Sequence, residues 1–186
     1  ATTLGGELLA QAVKTVDGAL AAAAAAFAAG NADLAVAQYD VVLGINPSDA
    51  AAQTGRARAV RLPEVLALVQ RADAERVRGE VQAALGSYRD ALAIDGGWEP
   101  ARAAIGEITA SLRNAEFERV LSLGFNSLAT ENFTAAAEHF RAALAQRPGT
   151  HAAEDGLAQA EQGARLDKIA LTEARALAFE RRELWD

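Results

Sequence analysis

The chain has 186 residues, of which 48 are alanine, and its 18 Lys+Arg against 25 Asp+Glu leave a net charge of −7. Alanine is the best intrinsic helix former and a poor strand residue, so the composition excludes a β-sandwich or barrel and points to an all-α fold. Interspersed charges with an acidic balance disfavour nucleic acid, and the absence of cysteine removes disulfides, thiolate metal sites and cysteine nucleophiles.

In chain order, residues 1–13 read as a lead-in to the first helix, with Gly5-Gly6 loosening its start. The segment Ala19 to Ala29 is apolar but short, and no apolar run reaches the roughly 20 residues that span a bilayer, so a soluble chain without a membrane span is expected. A chain that starts at Ala1 and contains no Met reads as a processed form or an excised fragment, with any leader or anchor lying upstream.

Three segments then align without gaps: Gly30 to Leu43, Gly79 to Leu92, and Glu131 to Leu144. Each opens on a short polar or glycine turn. Each then places an alanine (Ala35, Ala84, Ala136), an aromatic four residues later (Tyr39, Tyr88, Phe140) and a leucine four after that (Leu43, Leu92, Leu144). The aromatics stand 49 and 52 residues apart. Spacings of four put all three residue types on one face of a helix, the small one admitting a neighbour and the aromatic filling the space beside it. A breaker follows each helix: Asn46-Pro47, Asp95-Gly96-Gly97 and Arg147-Pro148-Gly149. Ser48 or Asp49, and Thr150, are positioned to cap what comes next.

With these residues in place, the chain resembles the tetratricopeptide repeat (TPR) family. The segment Phe117 to Thr150 supplies Leu123-Gly124, Ala136, Phe140, Ala143 and Pro148 at that family's Leu-Gly, Ala, aromatic, Ala and Pro positions. Val16 to Asp49 matches through Ala35, Tyr39, Val42 and Pro47, although alanines replace the bulky residues of its first helix. Val65 to Trp98 matches through Ala84, Tyr88 and Ala91, with Gly96 where the proline would be. The resemblance implies a right-handed α-solenoid of helix-turn-helix pairs, with repeats at 16–49, 65–98 and 117–150.

The family's repeats abut, whereas these are separated by 50–64 and 99–116, with 151–168 following the last. The spacers share an Ala and a Gly three residues apart (Ala52/Gly55, Ala103/Gly106, Ala153/Gly156) and have no loop composition. They read as extra inter-repeat helices in a unit of about 50 residues. Pro63, a natural helix start, and a slip of the apolar phase near Arg113-Asn114 lead us to expect long helices that are kinked or broken at these joints. Residues 169–186 form an incomplete repeat, whose Ile169, Leu177 and Phe179 are expected to be exposed unless another molecule covers them.

Residues that carry chemistry are sparse. His139 and His151 are twelve apart across a helix break, which matches no ligand motif, so neither metal nor cofactor is expected. No glycine pair has the Lys and Ser/Thr of a phosphate cradle, and no serine sits in a nucleophile elbow, so the chain does not read as an enzyme. Trp98 is expected to pack over the end of the preceding helix, and Trp185 to belong to the core of a further helix. In the family the first helices line a concave groove, which maps here onto Leu20, Ala24 and Phe27; Leu66, Val69, Asp73 and Arg76; and Glu118, Leu121, Phe125 and Leu128. The opposing expectation is that the inserted helices fill the groove and make these residues plain core. The family's basic clamp for a peptide's terminal carboxylate is not apparent.

The resemblance thus implies a non-catalytic protein–protein interaction scaffold that binds a peptide or protein segment on its concave face. Two further expectations stand beside it. One is a structural or oligomerisation arm of a cell-envelope assembly, self-associating through 169–186, as in bacterial membrane-anchored proteins that carry such repeats in the periplasm. The other is a docking domain of a larger enzyme.

Overall fold

The computed structural model describes residues 2–183, with the side chains of residues 6–182; Trp185 lies outside the described residues. Seven α-helices alternate in length: α1 (Thr2–Ala28), α2 (Ala32–Ile45), α3 (Ala50–Val77), α4 (Val81–Ile94), α5 (Glu99–Ala129), α6 (Phe133–Gln146) and α7 (His151–Glu183). No strand occurs among the described residues, so the chain is all-α. The three short helices have 14 residues each and coincide with the three aligned segments. The long helices, of 27 to 33 residues, contain the spacers.

The expectation of broken long helices is corrected here. Each spacer is continuous with the first helix that follows it, and Pro63 lies inside α3 instead of starting a helix. A mid-helix proline forfeits one backbone hydrogen bond and costs about 3 kcal/mol. Its neighbours Leu62 and Val65 are both fully buried, and each such side chain contributes about 1.5–3 kcal/mol. Keeping the helix intact holds both in the core and offsets the loss.

The turns repeat as closely as the helices do. After α1, Gly30 N–H donates to Phe27 O at 3.0 Å and Asn31 N–H to Ala26 O at 2.9 Å. The same two bonds close α3 through Gly79 and Glu80, and α5 through Glu131 and Asn132. This is a Schellman closure, whose pivot needs left-handed backbone. Glycine supplies it at Gly30 (φ 77°) and Gly79 (φ 76°), but the third pivot is Glu131 at φ 57°. Asn31 and Asn132 then accept from Leu34 N–H (3.1 Å) and Ala135 N–H (3.3 Å), and Asp49 accepts from Ala52 N–H (2.9 Å), capping α2, α6 and α3.

By its internal contacts the chain forms two compact units, Ala1–Ile108 and Thr109–Asp186. In the first, Ala19, Ala23 and Ala26 of α1 pack on Ala35, Tyr39 and Val42 of α2 and on Ala52 and Ala59 of α3. A second cluster joins Leu62, Val65 and Ala72 of α3 to Ala84, Leu85, Tyr88 and Ala91 of α4, closed by Trp98 and by Ala101 and Ile108 of α5. In the second unit Phe117 and Val120 of α5, Ala136, Ala137, Phe140 and Ala143 of α6, and Ala153 and Ala160 of α7 form the core. The fully buried residue that follows the alanine and aromatic on each short helix is Val42, Ala91 or Ala143, while Leu43, Leu92 and Leu144 are half-buried. At 3.6 residues per turn, i+7 returns to within about 20° of i and i+8 overshoots by about 80°.

Glycines in the long helices make room for the rings. A methyl group on Gly55 would lie 2.2 Å from the Tyr39 ring; on Gly124 and Gly156 it would lie 2.7 and 2.4 Å from Phe140; on Gly163, 2.4 Å from Phe133. Phe140 is thus held between α5 and α7, each of which offers bare backbone. Gly106 has no atom within 4 Å of such a methyl.

Three outcomes follow for urea unfolding monitored by circular dichroism. Gly156→Ala is expected to destabilise the second unit by about 1–3 kcal/mol through overpacking, whereas Gly106→Ala is expected to stabilise by about 0.5–1 kcal/mol through helix propensity. Glu131→Gly relieves a left-handed non-glycine residue that costs about 1–2 kcal/mol, less the extra entropy of the unfolded chain. Its midpoint should rise.

Candidate interaction surfaces

The positions carried over from the family fall on α1, α3 and α5, and the structure places them differently within each unit. In the first unit Leu20, Phe27, Leu66 and Val69 are half-buried against the core clusters, and Ala24 is exposed. Phe27 meets Trp98 edge-on with ring centroids 5.6 Å apart, and the Arg58 guanidinium sits 4.7 Å above its centroid. Asp73 accepts the hydroxyl of buried Tyr88, and Arg76 donates to Glu107 at 3.4 Å. Both charges that read as groove contacts are therefore engaged between helices. In the second unit Leu121 and Leu128 are half-buried, Glu118 is exposed, and Phe125 is 43% exposed while its ring lies edge-on to Phe140 at 5.0 Å. These apolar residues are core on one side and accessible on the other.

Trp98 belongs to the core, and its indole N–H finds no acceptor. Beside it Phe27, Arg58, Gly97 and Pro100 line a pocket of about 390 Å³. In the second unit a hollow of about 740 Å³ lies between the middle of α5 and the end of α6, lined by Leu112, Arg113, Asn114 and Arg147. The Arg147 guanidinium stacks 4.1 Å over Phe117 and also donates to Asn114. Nothing in the sequence pattern singled out this hollow, because its lining comes from residues more than 30 apart.

Two buried carboxylates were also missed by sequence reasoning. Glu75, 4% exposed, accepts from Ser87 Oγ at 2.7 Å and from Arg71 Nε at 2.9 Å. The Ser87 hydroxyl, then Arg71, holds its carboxyl below the ordinary range against the opposing effect of burial. The Arg71/Glu75 spacing of four was visible as a helix pair, but the serine twelve residues on was not. Asp95 is 7% exposed and accepts from Arg58 at 3.1 and 2.9 Å and from Gly97 N–H at 3.0 Å. Its bidentate arginine ties the end of α4 to α3. Burial, followed by the Asp73 carboxylate, raises the Tyr88 phenol. These groups are closed by partners within the unit and read as structural.

Comparison of the chain with protein-family models, with curated proteins and with solved structures finds no match in any of the three. Among the described residues no three His, Asp or Glu side chains cluster as metal ligands. His151 is exposed with Glu154 at 3.4 Å, and His139 is half-buried on α6. The α1 segment Gly6–Ala28 has 23 residues and a mean hydropathy of 1.2, long and apolar enough to cross a membrane by length and composition. The sequence expectation counted only uninterrupted apolar runs and stopped at Asp17; α1 carries the stretch through Lys14 and Asp17. One face of its second half, Ala19, Ala23 and Ala26, is occupied by α2 and α3.

The Glu75 site has a pH signature. A carboxyl held below its unfolded value contributes stability that is present above the ordinary carboxylate range and is lost as pH falls through the folded value. Urea midpoints of the wild type should drop on the acid side of that range. Glu75→Gln should be less stable near neutrality and flatter with pH. An unchanged acid limb in the variant would count against this account.

Proposed function

We propose that the chain is a non-catalytic protein–protein interaction scaffold, a right-handed solenoid of TPR-like helix pairs that binds a peptide or protein segment along its long helices. The observation that carries this reading is that each unit has its own strip of apolar side chains, set against the core on one side and open on the other. The strip of the first unit is Leu20, Phe27, Leu66 and Val69, and that of the second is half-buried Leu121 and Leu128 with exposed Phe125. Such a strip, interrupted by charge, suits the alternating anchors of an extended segment or the i, i+4 anchors of a helix. The repeated Schellman turns and the alanine–aromatic seats support the solenoid reading, since each unit reuses one packing solution. The buried carboxylates are each taken up by Ser, Arg or backbone N–H, which favours a structural over a catalytic use.

The test is selection of binders from a displayed peptide library on the immobilised chain, followed by affinity measurement on variants. Phe125→Ser and Val69→Ser each alter a strip residue and are made separately, one in each unit, with helicity checked by circular dichroism. A selected peptide should lose about tenfold or more on one of them. Selected peptides indifferent to both changes would remove the groove assignment. A second reading, an oligomerisation arm, is favoured by the exposed length of α7.

A further inference from the structure

The second half of α7 is exposed on every face from Arg165 to Arg182. One face is explained by the repeat. Ile169, Thr172 and Ala176 stand 52 residues after Phe117, Val120 and Gly124, the positions where α5 receives α6. Ile169 is 51% exposed where Phe117 is 3%. A second face, on the far side of the helix, has no such explanation. Ala170, Leu171, Ala174, Leu177 and Ala178 all lie within about 60° of the direction of Ala174 at 100° per residue. Leu171 and Leu177 are 55% and 54% exposed. The same positions in α5 are Glu118, Arg119, Ser122, Phe125 and Asn126, largely polar. The apolar stripe is therefore specific to α7.

This stripe is complementary to itself. Asp167 and Arg181 lie seven residues before and after Ala174, within about 20° of its direction and about 10 Å along the axis to either side. A second α7 laid antiparallel with its Ala174 on the first Ala174 sets Asp167 opposite Arg181 at both ends. It also sets Leu171 opposite Leu177, and Ala170 opposite Ala178. Alanine at the crossing lets the backbones approach. A parallel copy would instead place Asp167 on Asp167 and Arg181 on Arg181 within the seam. Outside it, Glu173 and Glu180 edge one flank and Lys168, Arg175 and Arg182 the other. In the antiparallel pair each flank meets its like, which opposes the contact. Those groups are solvated and farther apart, and their repulsion is about an order of magnitude weaker than a seam pair in contact at lower dielectric.

We propose that α7 is a self-association helix, pairing antiparallel with α7 of a second copy through the Ala170–Ala178 stripe and two Asp167–Arg181 pairs. The opposing flanks make this a reversible, concentration-dependent dimer. It is independent of the groove reading, since it uses the opposite end of the chain from Phe27 and none of the strip residues.

The experiment is sedimentation velocity on the full chain across micromolar to near-millimolar concentration, with helicity checked by circular dichroism. The wild type should shift from monomer to dimer. Leu171→Asp with Leu177→Asp should abolish the dimer, and Ile169→Ser with Phe179→Ser should leave it within about threefold. Asp167→Arg alone should raise the dimer Kd by about tenfold or more, and Asp167→Arg combined with Arg181→Asp should restore it. A wild type monomeric throughout overturns the proposal, as does a dimer that survives Leu171→Asp with Leu177→Asp. A dimer lost only through Ile169 and Phe179 assigns the contact to the repeat face and overturns it too. Failure of the double charge exchange to rescue overturns the antiparallel pairing.

Discussion

The fold depends on aromatic rings of short helices seated against bare backbone or alanine of the long helices beside them. Phe140 is fully buried because Gly124 and Gly156 present no side chain to it. Tyr39 is buried because Gly55 lets its ring approach closer than any Cβ would allow. With few large side chains to fill space, close approach of helices is the available route to dense packing, and more than half of the buried apolar residues described are alanine. The ring sets the separation of the helices, and the alanines around it take advantage of that separation.

The middle repeat shows what happens when the seat is not used. Tyr88 is as buried as Phe140, yet Gly106 on α5 stays clear of it. Its hydroxyl instead reaches Asp73 of α3, and the neighbouring Ser87 reaches Glu75. Burying a phenol requires an acceptor, and burying a carboxylate requires donors. The α3–α4 pair therefore carries a polar ladder where the α6 contacts are apolar. Asp95, gripped by Arg58 of α3, continues this ladder at the end of α4.

What was legible in the sequence was the part built on strict spacing. The Ala–aromatic spacing of four and the breaker after each short helix located α2, α4 and α6, because local periodicity decides where a 14-residue helix begins and ends. The long helices were harder. Pro63 has the local signature of a helix start, and only the burial of Leu62 and Val65 on either side of it decides for continuity. The phase slip at Arg113-Asn114 has the same origin: α5 changes which face it buries, from Ala101 and Ile108 in one unit to Phe117 and Val120 in the other, and a helix that switches partners shows no single apolar stripe. The groove positions fall on the long helices α1, α3 and α5. The partners of Asp73 and Arg76, Tyr88 and Glu107, lie on other helices, where local spacing does not reveal them.

The same reasoning bears on the charge distribution. Arg56 with Asp40, Arg76 with Glu107 and Arg141 with Glu161 all link different helices, yet each pair is exposed at both ends. Exposed pairs of this kind contribute about 0–1 kcal/mol apiece, too little to hold helices together against the cost of ordering long side chains. Their value lies in register. An arginine that finds its acid only when two helices are in one phase penalises sliding, which a surface of uniform small alanines does little to prevent on its own. The alanine-rich interface supplies proximity without much specificity of position, and the rings in their glycine seats, with the cross-helix ion pairs around them, supply the position.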